Sequence, residues 1–215
     1  KQLIHEYKQS QKALESGDTY YSLSLLGRIR TILKVCVAQI DILETMTPLQ
    51  FNAFRSYLSS SSGFQSAQFR KVEALLGRRD TKMASHLPPN VQEEIAEITK
   101  GNSLWDSALI YLTKRGHQMP DEVLKRDKSQ AYTQNTEVQD VLLKLHRNDP
   151  ETSSVCERLV DIDEGLQEWR YRHVKMVERT IGQKIGTGGS SGVGYLSTTL
   201  SNPVFPDLWQ IRSSF

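Results

Sequence analysis

Cysteine is scarce in this chain, and its two cysteines both lie in apolar helical patterns. We therefore predict that Cys36 and Cys156 are reduced thiols within helices, as in cytoplasmic proteins, and that the chain has no disulfide framework. An excess of charge of one sign is also missing, because 27 Lys and Arg stand against 25 Asp and Glu without a long run of like charges. This balance gives no indication of nucleic-acid binding.

Several motifs that would define other classes of protein are lacking. No apolar stretch approaches the roughly 20 residues that a membrane helix needs. The chain has five histidines, but they do not have the spacing of a zinc site with each other or with cysteine. The Gly-x-Ser-x-Gly turn of serine hydrolases is missing too. The sequence thus gives no support to a membrane-spanning protein, a zinc enzyme or a serine hydrolase.

The alternation of apolar and polar residues that marks half-buried strands is also lacking. Apolar residues instead recur at intervals of three and four along most of the chain. This pattern predicts an all-α fold, a helical bundle that forms a single domain over residues 1–215. Local signals place some helix ends: Gly17 ends the first helix and Asp18 begins the second, while Thr47 caps a helix that starts with Pro48.

One predicted helix, from Val155 to Ile181, is especially long, and we expect Ser154 and Glu157 to form a capping box at its start. His173 stands on its apolar stripe, where the helical period calls for a hydrophobic residue. The apolar members of the stripe are Val155, Leu159, Ile162, Leu166, Trp169, Val177 and Ile181.

A buried imidazole needs a partner for each of its ring nitrogens. The iron of a haem is one such partner. The other interpretation is an ordinary core histidine that is hydrogen-bonded to a carbonyl group. Periodicity alone leaves both interpretations of His173 open and favours the ordinary one.

A glycine-rich stretch follows the long helix, and residues 186–192 read Gly-Thr-Gly-Gly-Ser-Ser-Gly. It is not a Walker loop, which ends in Gly-Lys-Ser/Thr, nor a dinucleotide loop, which would need glycine in place of Ser191. We interpret the stretch as a lid that closes over a ligand. A plain connection is the alternative.

A second cluster lies earlier in the chain, where Phe51, Phe54, Arg55 and Leu58 share one helix face by their spacing. An arginine beside two aromatic rings suits the recognition of a carboxylate, because the guanidinium fork matches its two oxygens. A surface arginine packed over the rings is the alternative, which the spacing alone favours.

Three further carboxylates, Glu73, Asp161 and Asp163, have no motif around them. We expect them to be solvated.

Four sequence blocks occur in order along the chain: FRSYLSSSSGFQSAQFRKVEALLG, WRYRHVKMVERTIG, KIGTGGSSGVGYL and FPDLWQIRS. They closely resemble the tryptophan 2,3-dioxygenase family, and the resemblance covers essentially the whole chain. It implies a helical bundle around a haem b pocket. It also implies a dioxygenase that inserts O2 into the indole C2–C3 bond of L-tryptophan to give N-formyl-L-kynurenine.

The resemblance further implies roles for single residues. His173 matches the proximal ligand of the haem iron, and Gly63 begins a stretch near the haem edge. The implied substrate-binding residues are an aromatic wall, a carboxylate-binding arginine, two residues that line the pocket and a loop threonine: Phe51, Arg55, Leu58, Ser62 and Thr187.

The family's distal histidine corresponds to a position before Lys1, so we expect no catalytic side chain within the chain as given. An N-terminal segment that reaches a neighbouring subunit is expected to be missing as well. The resemblance implies a homotetramer. Since large apolar patches are rare on soluble monomers, we expect Leu3, Ile4 and Tyr7 to lie near a subunit boundary.

Three alternatives stay open at this point. A related haem monooxygenase would insert one oxygen atom into tryptophan or a derivative in specialised metabolism and form an oxindole, and Ile185 beside the glycine-rich stretch keeps this reading open. The second alternative is a haem-binding sensor without turnover. The third is a helical scaffold without haem, which requires His173 to be an ordinary core residue.

Overall fold

The computed structural model describes residues 1–58, 61, 65–80, 84–186, 193–198 and 200–215. Helices form the regular structure of these ranges, which contain no β-strand, and the all-α prediction is confirmed. The helices are α1 Gln2–Ser16, α2 Thr19–Leu43, α3 Pro48–Arg55, α4 Ala67–Leu75, α5 Pro89–Lys100, α6 Leu104–Lys114, α7 Asp121–Leu124, α8 Thr136–Asn148, α9 Pro150–Ile181, α10 Val193–Ser197 and α11 Pro206–Gln210. Short 3-10 helices cover Ser56–Leu58 and Ile211–Ser214. Within the described ranges, no helix combines the length and the apolarity that crossing a bilayer requires.

The long helices α2 and α9 pack along each other and form the centre of the bundle. Helix α1 lies against α2 and α6, while α8 and the C-terminal segment (residues 200–215) cover the first half of α9. The largest fully buried side chains come from α1, α2, α6, α8 and the C-terminal segment, and they are Trp105, Tyr7, Tyr111, Phe205, Leu14, Leu25, Leu26, Ile29, Leu104, Leu109, Leu112 and Leu142. Val155, Leu159 and Ile162 of α9 are buried in the same core, which fixes the direction of the helix that carries His173.

The predicted junctions between the first helices are confirmed. Gly17 adopts a left-handed φ of 86° and its N–H bonds to carbonyl groups at the end of α1. Asp18 caps α2 by accepting a hydrogen bond from the backbone N–H of Tyr21 at 2.9 Å. Thr47 caps α3 with Pro48 in the first turn. Such signals act over three or four residues, so a single sequence is enough to read them.

The predicted start of α9 is wrong. The helix begins at Pro150, and its N-cap is Asp149, whose carboxylate accepts from the backbone N–H of Thr152 at 3.0 Å. Ser154 is the fifth residue of the helix and donates to the carbonyl of Pro150 at 2.8 Å. Asp149 and Pro150 start the helix because aspartate is a strong N-cap and the φ of proline is preset for the first helical position.

Tyr7 is not part of an exposed apolar patch, the premise from which a nearby subunit boundary was expected. Its side chain is fully buried in the core of its own chain, between α1 and the neighbouring helices. Leu3 and Ile4 are partly buried against the same core. The apolar face of α1 is therefore covered by α2, α4 and α6.

Candidate functional site

His173 lies in the last third of α9, where the apolar stripe of this helix leaves the core. The first four members of the stripe are buried, at Val155, Leu159, Ile162 and Leu166. Beyond Leu166, both Trp169 and His173 are only half-buried, and the buried residue of that turn is Val174. The imidazole is thus less buried than its place on the apolar stripe predicts, because α9 extends past the helices that cover its first half.

The imidazole of His173 stacks on the indole of Trp169, with ring centroids 5.2 Å apart and planes within 14°. Loss of hydration lowers the pKa of His173 below its ordinary value, so the ring is neutral at physiological pH. Neither ring nitrogen hydrogen-bonds to any residue that the structure describes. A neutral imidazole that is not engaged by another side chain or carbonyl can bind a metal through one of its nitrogens.

Phe69 on α4 extends the stack, because its ring lies 5.2 Å from that of Trp169 at an angle of 36°. The three rings of Phe69, Trp169 and His173 form an aromatic ladder that ties α4 to α9. Aromatic pairs at such distances stabilise each other beyond the area that they bury. The ladder restrains the plane of the imidazole, and sequence reasoning did not predict that Phe69 takes part in it.

Two arginines hold the turn of α9 that carries His173. Arg172 donates from one nitrogen, Nη2, to the carboxylates of Asp41 and Glu44 at the end of α2, the latter at 2.9 Å. These carboxylates raise the pKa of Arg172 above its ordinary value. Arg170 donates to the backbone carbonyl of Asn202 at 3.0 Å. The turn is thus tied to α2 and to the C-terminal segment.

The predicted aromatic and arginine cluster lies on α3, which packs against α9. The rings of Phe51 and Phe54 meet edge to face, with centroids 5.3 Å apart and planes at 77°. Leu58 ends the 3-10 turn that follows α3 and is half-buried. No side chain of α3 is fully buried, so this helix presents its polar and aromatic groups beside α9 without being part of the core.

The Arg55 guanidinium donates from Nη2 to the backbone carbonyl of Ile185 at 2.6 Å. Arg55 is half-buried and forms no ion pair with the residues that the structure describes. Its positive charge is therefore not neutralised by a carboxylate in this part of the chain. A guanidinium in such surroundings is suited to bind an anionic group.

Ser62, Gly63 and Thr187, the remaining predicted site residues, lie outside the described residues. The same holds for residues 187–192 of the predicted lid. Among the described residues, no group of three or more His, Cys, Asp or Glu side chains is arranged to hold a metal ion.

A family model described as Tryptophan 2,3-dioxygenase matches residues 1–97 and 146–215 of the chain. The chain belongs to the tryptophan 2,3-dioxygenase family. The matched ranges contain α3 with Arg55 and α9 with His173, whereas α6 and α7 fall between them. All the site residues that the sequence predicted therefore lie in the parts that the family shares.

Individual relatives agree with the family match. A protein of Anaeromyxobacter dehalogenans (strain 2CP-C) named tryptophan 2,3-dioxygenase is 52% identical over 100% of this chain and 81% of its own length. A protein of the same name from Herpetosiphon aurantiacus is 50% identical over 99% of this chain and 82% of its own length. One from Caulobacter vibrioides is 40% identical over 99% of this chain and 83% of its own length.

Two carboxylates of this tryptophan 2,3-dioxygenase family member differ from the sequence-based expectation. Glu73 and Asp163 were expected to be solvated, but they are 6% and 0% exposed. Glu73 bonds to Arg70 at 2.6 Å and to Arg78 at 2.9 Å. Asp161 is partly buried and pairs with Arg158 at 2.8 Å. Glu73 pairs with arginines three and five positions away, whereas Asp163 takes its partners from a segment more than 40 positions away, which its own helix does not indicate.

Proposed function

We propose that the protein is a haem-dependent tryptophan 2,3-dioxygenase that inserts both atoms of O2 across the indole C2–C3 bond of L-tryptophan and forms N-formyl-L-kynurenine. One observation carries this proposal. A chain of this family presents, at the turn that the resemblance assigns to the proximal ligand, a neutral imidazole whose nitrogens have no hydrogen-bond partner among the described residues.

The residues around His173 fit a haem b group. The iron of this group would take one nitrogen from the protein, and the lone His173 would supply it. The aromatic ladder offers flat apolar surface and holds the imidazole in one orientation. When bound, haem supplies the redox chemistry with dioxygen that side chains cannot perform.

The part of the protein itself is to bind and orient the substrate. We propose that Arg55 binds the carboxylate of L-tryptophan with its free donors and that Phe51 and Leu58 contact the indole ring. Ser62, Thr187 and Gly63 belong to the same proposal through the family resemblance alone. Holding the reacting ring in one position removes the entropy cost of alignment from the chemical step.

The product tests this function directly. The full-length holoprotein, incubated with L-tryptophan under oxygen-18 gas, should give N-formyl-L-kynurenine that carries both labelled atoms by mass spectrometry. A product with one labelled atom would show the oxindole-forming monooxygenase instead. Absence of any oxygenated product, with haem bound and reduced, would contradict an enzymatic role.

The proposed role of Arg55 gives a second test. Arg55→Ala should raise KM for L-tryptophan steeply at constant haem content, because losing a charge-assisted contact in a half-buried site costs roughly 2–5 kcal/mol. KM for tryptamine, which lacks the carboxylate, should change little. Arg158→Ala is the matched control, since this arginine lies on the exposed side of α9. An equal change of both KM values would exclude the carboxylate as the target.

The proposal extends to a homotetramer in the cytoplasm. Large apolar side chains lie exposed near the site on α2, on α3 and on the turn after it, at Ile42 (70%), Leu49 (82%) and Tyr57 (85%). Exposed apolar groups of this size support a contact with another protein surface. Both cysteines are free thiols, which supports a reducing compartment.

A further inference from the structure

Besides its positive charge, Arg55 contributes a hydrogen bond to the chain that follows α9. We propose that Arg55 also fastens the post-α9 segment (residues 182–186) to α3 through the Ile185 carbonyl, so that carboxylate binding and the position of this segment are coupled. The coupling rests on the proposed function, whereas the fastening does not.

The hydrogen bond from Arg55 is the contact that fixes the post-α9 segment. Within the described residues, it is the only hydrogen bond between this segment and another part of the fold. The remaining bonds of the segment are local, from the N–H of Gly182 to Glu178 and from that of Lys184 to Ile181.

Apolar burial does not hold the segment. The Ile185 side chain is 66% exposed, and Gln183 and Lys184 are exposed as well. Gly182 turns the chain out of α9 with a φ of 59°. Since hydrophobic contacts contribute little here, the bond at 2.6 Å between Arg55 and Ile185, which lie 130 positions apart, is the contact that joins the segment to α3.

The shape of a guanidinium allows it to hold two groups at once. It carries five N–H donors in one plane, and the Ile185 carbonyl occupies one of them. The others can take a carboxylate in a bidentate contact. A carboxylate would fix the guanidinium more firmly and thereby the segment, and linkage requires the reverse effect to be equally large. Lysine has the charge without the planar fork, so it cannot substitute fully.

Tryptic cleavage at Lys184 measures the fastening. This lysine is exposed and directly precedes Ile185, and cleavage requires the local chain to open. In the full-length holoprotein without substrate, Arg55→Ala should accelerate cleavage at Lys184 roughly tenfold, as expected for the loss of a hydrogen bond to a charged group. Cleavage at Lys125, which is 74% exposed, is the internal reference in the same digest.

Arg158→Ala is the control variant and should cleave at Lys184 as the wild type does. The rate of cleavage at Lys184 in Arg55→Lys should lie between the rates of the wild type and of Arg55→Ala. This second variant keeps the test decisive if the alanine variant folds poorly. Equal cleavage rates at Lys184 in the wild type and both Arg55 variants would overturn the fastening.

Two ligands test the coupling. Saturating L-tryptophan should slow cleavage at Lys184 in the wild type, whereas tryptamine should not. Unchanged or faster cleavage with L-tryptophan bound, as judged by the haem spectrum, would overturn the coupling. If L-tryptophan causes no spectral change, the proposed function and the coupling are both wrong. The cleavage rates of the wild type and the Arg55 variants without ligand still show whether Arg55 holds the segment.

Discussion

Replacing His173 with alanine should abolish stoichiometric haem binding or change the ferrous Soret band strongly. We propose that the imidazole of His173 would hold the haem iron, and its ring has no competing hydrogen bond among the described residues. Pyridine haemochrome analysis gives the haem content, and the ferrous spectrum reports the ligand. A His173→Ala variant with full haem content and an unchanged ferrous spectrum would exclude this ligand.

The chain offers a matched control in His146. Both of its ring nitrogens have partners, the carbonyl of Leu142 at 2.7 Å and the carboxylate of Glu157 at 3.1 Å. His146→Ala should therefore retain haem and its spectrum. Added imidazole should partly restore the spectrum of His173→Ala, because it can occupy the space of the deleted ring. This separates a lost ligand from a misfolded protein.

The helix ends show how far local signals reach. Gly17, Asp18 and Thr47 were predicted correctly, because each acts on backbone groups within a few residues. The start of α9 was predicted wrongly, although the signal of Asp149 and Pro150 is equally local. Ser154, five residues after Asp149, is a second plausible cap. The sequence alone does not show which of the two caps stabilises the helix more.

Some contacts of the candidate site could likewise be predicted from the sequence, and others could not. Periodicity singled out His173 and placed Trp169 one turn before it, and the stack between them follows from that spacing. The contact of Phe69 with Trp169 and that of Arg55 with Ile185 join segments about a hundred positions apart, so the helical period carries no information about them. Family resemblance located these segments in the site but did not supply the contacts.

Asp163 shows most clearly what the sequence could not show. Its neighbours on α9 suggested a solvated carboxylate, yet the side chain is fully buried. One of its oxygens, Oδ2, accepts three hydrogen bonds from the C-terminal segment. The donors are the backbone N–H of Val204 at 2.8 Å, the backbone N–H of Phe205 at 3.1 Å and the indole N–H of Trp209 at 2.9 Å. The partners exist only once that segment has folded back on α9.

Asp163→Ala should therefore destabilise the protein by at least about 3 kcal/mol, because it leaves three N–H groups in or near the core without an acceptor. For a chain of this size, the midpoint of thermal unfolding should fall by about 6–12 °C. Far-UV circular dichroism gives the midpoint of unfolding. Asp161→Ala is the control, since that carboxylate pairs near the surface and should cost under about 1 kcal/mol.

The effect of Asp163→Ala should extend beyond the C-terminal segment. Phe205 is fully buried and its ring lies 5.7 Å from that of Trp105 on α6, so the carboxylate fixes a side chain of the main core. Asp163→Asn keeps the volume but removes the charge and one acceptor oxygen, and it should lose part of this stability. If Asp163→Ala unfolds within 2 °C of the wild type, the carboxylate does not anchor the C-terminal segment, and apolar packing of Phe205 alone holds it on α9.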